Sequence, residues 1–146
     1  MKLVDTIQKG LSEWTQNHAV LIARLSLGVI FVWFGMLKFF PGLSPAEEIV
    51  KHTIPFISPD LFIPVLATWE VLIGIGFLLG RPMWLTLLLL ALHMPGTFLP
   101  MVVIPDAVWT QFPYGLTLEG QYIIKNFAII SAALFIAANL NRKTLD

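Results

Sequence analysis

The chain has 146 residues, 57% hydrophobic and 12% charged, with nine Lys+Arg balancing nine Asp+Glu and no cysteine. Soluble domains carry about 45–50% apolar and about 25% charged residues, so a mean hydropathy of +0.80 leaves too few polar side chains to coat a water-facing surface. The neutral balance argues against a nucleic-acid partner. The lack of cysteine rules out disulfides, thiolate metal sites, iron–sulfur clusters and CxxC redox chemistry, and the hydrophobicity rules out disorder. Composition points to an integral membrane protein.

In chain order, Leu3, Val4, Ile7, Leu11 and Trp14 share one helix face. Residues 3–16 therefore read as an N-terminal amphipathic interfacial helix on the inner membrane surface. A spanning helix needs roughly 20 mostly apolar residues, and four stretches qualify. The first, Ala19 to Phe40, contains Arg24 and Lys38. Ser44-Pro45-Ala46-Glu47 then matches a capping box with proline at the first helical position, predicting a short helix over 45–52. Ser58-Pro59 gives another start signal before the second span, Leu61 to Leu79, which holds Glu70. Gly80-Arg81-Pro82 is so short a turn that the second and third spans must form an antiparallel hairpin.

The third span, Met83 to Ile104, holds His93, Pro95 and Pro100, and its run Trp84–Leu92 is apolar all round, as lipid demands. In the loop 105–120, Trp109, Phe112 and Tyr114 suit the headgroup belt, and no strand is expected. The fourth span, Tyr122 to Leu140, holds Lys125 and Asn126. The fold expected is all-α: a four-helix transmembrane bundle forming one domain over 1–146, with the lipid bilayer as its solvent. Lys2, Lys9, Arg81, Arg142 and Lys143 fall on one side of it, and the acidic segments 41–60 and 105–120 on the other. The positive-inside rule then places both termini in the cytoplasm. The first 18 residues lack the apolar run of a secretory signal, so the first span is expected to direct its own insertion.

Each span carries an ionisable group, and such groups inside hydrocarbon are functional candidates by default. Arg24, Gly28, Phe31, Gly35 and Lys38 fall on one narrow face of the first span, and Glu70, Gly74, Phe77 and Arg81 repeat the pattern on the second. Charges joined to glycines belong inside the bundle, where small residues let helices approach closely. Counting from the span ends, Glu70 lies about 13 Å deep and His93 about 16 Å, with Lys125 and Lys38 about 5 Å from the same end. Glu70, His93, Lys125 and Lys38 are thus expected to form one polar cluster opening outward. Asn126, Glu119, Gln121 and Trp69 are its expected neighbours, and Arg24 is its outlying member. An ionised Glu70 must pair or be protonated; Lys125 is the first candidate partner and Lys38 the second. His93 could exchange a proton with it. A structural ion pair within a packing seam is an open alternative.

His18 and His52 lie near opposite membrane edges, so no haem is expected, and no metal-ligand spacing, GxGxxG or P-loop is present. A redox role would need a carrier from the bilayer or from a partner. A quinone fits, with Glu70 and His93 relaying protons and Lys38, Lys125, Asn126, Arg24 and the tryptophans Trp33 and Trp69 as binding groups.

The segments Arg24-Leu25-Ser26-Leu27-Gly28, Trp33-Phe34-Gly35-Met36-Leu37-Lys38-Phe39, Trp69-Glu70-Val71 through Gly74, Gly76 and Gly80, and Glu119-Gly120-Gln121-Tyr122 with Lys125-Asn126 resemble the DoxX-like group of small four-helix membrane proteins. The relatives of that group include the small subunit of a thiosulfate:quinone oxidoreductase and the reactive-chlorine-resistance membrane proteins. The resemblance implies a bundle in the cytoplasmic membrane and a quinone-linked redox or oxidative-stress role beside a partner redox subunit. Cysteines found in some redox members are missing, so thiol chemistry does not carry over. Two other readings stay open: a non-catalytic helper in assembly of a partner, and a small carrier for protons or anionic solutes. A homo-oligomer is compatible with all three.

Overall fold

The computed structural model describes residues 2–44 and 47–140. Its elements run α1 (Lys2–Leu37), α2 (Glu47–Thr53), α3 (Pro59–Leu79), α4 (Met83–Phe98), α5 (Pro100–Val103), α6 (Pro105–Val108), β1 (Trp109–Gln111), β2 (Gly115–Leu116) and α7 (Leu118–Ala138). Among the described residues, four helical stretches are long and apolar enough to cross a membrane: Val4–Leu37, Pro59–Leu79, Met83–Val103 and Leu118–Ala138. The protein is an all-α, multi-pass membrane bundle. Many large apolar side chains on its outer faces, among them Val29, Leu72, Leu88 and Leu134, are exposed and suit contact with lipid.

Three local expectations are corrected. The amphipathic segment is not a separate interfacial helix, because α1 runs unbroken for 36 residues, about 54 Å. The polar stretch Thr15–His18 marks a hydropathy boundary but contains no helix breaker. Thr15 Oγ1 and His18 Nδ1 even bond back to the carbonyls of Leu11 and Trp14, one turn earlier. At its other end α1 stops at Leu37, and residues 38–43 form tight turns.

The second correction concerns the loop after the third span, which contains a small antiparallel hairpin where no strand was expected. Trp109 faces Leu116 and Gln111 faces Gly115, with an irregularity between. Thr117 then caps α7, its hydroxyl accepting from the Gly120 N–H at 3.0 Å and donating to the Ala107 carbonyl at 2.7 Å. That cap starts α7 at Leu118 rather than Tyr122.

The third concerns the capping box: the short helix it predicts is present as Glu47–Thr53, but the Glu47 carboxylate turns to Gly42. Pro45 and Ala46 lie outside the described residues, as do Arg142 and Lys143. The Glu47 carboxylate takes the Gly42 N–H at 2.7 Å and the Lys51 ammonium at 2.8 Å, so it braces the turn upstream of α2. Lys51 and the Gly42 N–H hold the Glu47 pKa below the ordinary value near 4.5, while the carboxylates of Glu47 and Glu48 raise that of Lys51 above 10.5.

The expected hairpin between the second and third spans is present. α3 ends on Gly80 at φ +76°, a left-handed cap whose N–H bonds to the Gly76 carbonyl. Three glycines set the closest crossing, between α1 and α3. A Cβ on Gly74 would lie 2.6 Å from the Val32 backbone nitrogen and 2.9 Å from the Gly28 carbonyl oxygen, and one on Gly35 would meet Val71 and Glu70. Around that seam Leu27, Phe31, Ile73, Phe77, Leu90, Met94, Ala133 and Ile136 pack as the core. Pro95 and Pro100 each remove a backbone donor from the third span, so its hydrogen-bond ladder is interrupted around Leu99 while the backbone there stays right-handed helical.

Candidate functional site

The polar faces of α1 and α3 meet in antiparallel order. Lys38 comes against Glu70, Gly35 against Val71, Gly28 against Gly74, and the Arg24 guanidinium against Gly80. Lys38 is the first residue past the end of α1, and its N–H bonds back to the Gly35 carbonyl. From there its ammonium turns into the bundle and donates to Glu70 Oε2 at 2.6 Å, with the Phe34 carbonyl at 3.5 Å. The other carboxylate oxygen, Oε1, lies 3.4 Å from His93 Nε2 of α4. Side-chain exposures of 9% for Lys38, 10% for Glu70 and 6% for His93 place all three groups inside the protein.

The two contacts differ in kind. At 2.6 Å the lysine–glutamate bond is a short charge-assisted hydrogen bond. The histidine contact at 3.4 Å exceeds the usual hydrogen-bond range of about 2.7–3.2 Å. A shift of a few tenths of an ångström would close it. Phe31 sets the imidazole on the other side, edge-on with ring centroids 5.9 Å apart. Glu70 is eleven residues into α3, about 16 Å along its axis, and His93 is ten residues short of the end of the third span, about 15 Å. The cluster therefore lies near mid-depth, where an unpaired charge is costly.

Lys125, the first candidate partner for Glu70, lies elsewhere. Its side chain is exposed and sits over the Tyr122 ring of its own helix, 4.9 Å from the centroid. Asn126 is half-buried, while Glu119 and Gln121 are exposed near the start of α7. Trp33 is exposed on the outer face of α1. Arg24 packs at the opposite end of the seam from Lys38, and its buried Nε has no hydrogen-bond partner among the described residues.

Trp69 is half-buried against the core, and its indole N–H donates to the Leu89 carbonyl at 3.1 Å. It also forms the wall of an apolar groove of about 490 Å³ lined by Leu61, Pro64, Val65, Leu72 and Leu89. None of Lys38, Glu70 and His93 lines it. Phe31 and the Phe34 carbonyl are members of the site that the sequence did not single out for it. Phe31 could have been found, since it shares the helix face of Lys38; a backbone carbonyl leaves no such signal.

The DoxX family profile matches residues 19–104, more than half of the chain. The protein belongs to the DoxX family. The DoxX match includes Lys38, Glu70 and His93 and stops before α7, so the cluster lies wholly within it and Lys125 lies outside. No curated protein and no solved structure gives a significant match to this DoxX chain.

Proposed function

We propose that this DoxX-family protein is a quinone-interacting subunit of a membrane redox or oxidative-stress system, in which Glu70 and His93 carry protons and Lys38 supplies a hydrogen-bond donor. The observation that supports this most is the buried Lys38–Glu70–His93 cluster itself. It joins a cation, a carboxylate and an imidazole across three elements at mid-depth. The chemistry of the donor set fits a quinone: the ammonium and the imidazole can each donate to a carbonyl oxygen. The groove beside Trp69 is lined mainly by apolar side chains and suits a hydrocarbon tail.

A quinone, when bound, supplies a carrier of two electrons and two protons that is soluble in the bilayer, and a partner redox subunit supplies the electrons. The chain's own part is protonic. Lys38 holds one carboxylate oxygen and leaves the other facing His93, so the two oxygens have separate tasks. Closing the 3.4 Å gap lets a proton pass between Glu70 Oε1 and His93 Nε2. The charge asymmetry of the loops supports both termini in the cytoplasm, and the family resemblance supports a place in the cytoplasmic membrane.

Binding of a short-chain benzoquinone and a naphthoquinone to the purified protein, followed by thermal shift, tests the reading. The expected result is saturable stabilisation that Glu70→Gln and His93→Phe each weaken at least tenfold in apparent Kd. The absence of any quinone-dependent shift, or an equal shift in the variants, overturns it.

One observation favours a second reading, a non-catalytic helper whose charges fix the fold. Glu70 is already satisfied by Lys38, and the groove does not reach it. That reading expects Lys38→Met with Glu70→Gln together to preserve both folding and the activity of the partner system.

A further inference from the structure

The α1 helix passes beyond the rest of the bundle. Arg24 lies level with Gly80, the cap of α3, so about 25 Å of helix N-terminal to Ala19 projects past the α3–α4 hairpin. Residues 4–18 are exposed throughout. Within them Val4, Ile7, Leu11 and Trp14, each more than half exposed, are spaced by three, four and three residues. His18, Leu21 and Leu25 continue the alternation into the span. This is the two-in-seven seam of a coiled coil, narrower than the apolar face of a helix that packs on a broad surface.

The charges agree with a helix partner. Asp5, Lys9 and Glu13 occupy the face opposite the seam. The flanking positions Gln8, Gly10, Thr15 and Asn17 are uncharged, so two copies side by side meet no like-charge repulsion. A bilayer-surface helix instead carries a Lys/Arg-rich polar face. It would also have to turn away from the spanning direction, and α1 has neither a proline nor a break at which to do so.

We propose that residues 4–18 of α1 pair with the same segment of a second copy as a parallel two-stranded coiled coil projecting from the membrane. The orientation follows from continuity, because two copies inserted the same way enter the bilayer side by side. His18, stacked on Trp14 with ring centroids 5.0 Å apart, is the polar residue at a core position that fixes register. The proposal is independent of any quinone role.

The full chain has no cysteine, so single-cysteine variants report without background. In membranes under mild oxidation, Leu11→Cys and Trp14→Cys are expected to give at least tenfold more disulfide dimer than Lys9→Cys. Leu11→Asp in detergent is expected to convert dimer to monomer by light scattering and to leave bundle unfolding unchanged. Equal dimer yields at the three cysteine positions, or none at any, overturn the proposal. A fluorophore on Leu11→Cys that brominated lipid quenches also overturns it, by assigning the segment to the bilayer surface.

Discussion

Replacing Lys38 by methionine keeps the length and apolar body of the side chain and deletes the ammonium that holds Glu70 Oε2 at 2.6 Å. The carboxylate, 10% exposed, is then left with only His93 at 3.4 Å. Removing one partner of a buried pair typically costs about 3–5 kcal/mol, chiefly because the remaining charge stays desolvated. The reverse change, Glu70→Gln, is expected to cost less, roughly 2 kcal/mol, since Lys38 stands on the turn beyond α1 and its long stem can reach toward the interface. Both substitutions together leave no buried charge and should cost about 2 kcal/mol or less, giving a coupling of at least about 3 kcal/mol. Unfolding of the four proteins in one detergent, followed by circular dichroism, measures the cycle. Lys125→Met is the control, expected to lose no more than about 1 kcal/mol because its ammonium rests over an exposed ring. Single costs below about 1 kcal/mol that simply add would refute the reasoning, for they would show that the pair is not energetically linked.

Two glycines in spanning helices should respond in opposite directions. Gly74→Ala drives a methyl group into the Val32 backbone and should cost about 1–3 kcal/mol, whereas Gly96→Ala meets nothing within 4 Å and should gain up to about 1 kcal/mol of helix stability. Denaturant midpoints of the two variants against the parent check this. At α2 the pKa of Glu47 is lowered by Lys51 and Gly42, so its tie is complete above about pH 4.5 and lost as pH falls through the depressed value. The raised Lys51 makes the opposite contribution, complete below 10.5 and lost as pH rises through its higher value. The Gly42 amide resonance should stay constant between those limits and move only outside them; a shift centred near pH 7 would contradict the assignment.

Most of the architecture was legible because lipid leaves a coarse signature. Span lengths follow from bilayer thickness, and the Gly80–Pro82 connection permits only a hairpin. The seam was legible too, since charges and glycines recurring on one face of α1 and again on α3 have good reason to face each other. Choosing the partner of Glu70 was harder. Depth counted from span ends put Lys38 and Lys125 level, but it carries no information on which way a helix is rotated about its axis. The Thr117 cap also begins α7 four residues early, which moves Lys125 along the bundle. The continuity of α1 was hidden for a related reason: hydropathy falls at Thr15–His18, while helix geometry needs only the absence of a breaker there. The hairpin at Trp109–Leu116 is too short to show a strand period.

The tight glycine crossing has a mechanical corollary. With backbone against backbone along Gly28, Gly35 and Gly74, α1 and α3 behave as one stiff plate, and the lysine–glutamate clasp travels with it. His93 is mounted on the other half, on a helix interrupted a few residues further along, at Leu99. The Trp69 bond to the Leu89 carbonyl and the close approach of Thr86 to Gly76 tie that helix back to the plate. The 3.4 Å spacing of carboxylate and imidazole is therefore set by how α4 seats on the plate, not by either side chain alone.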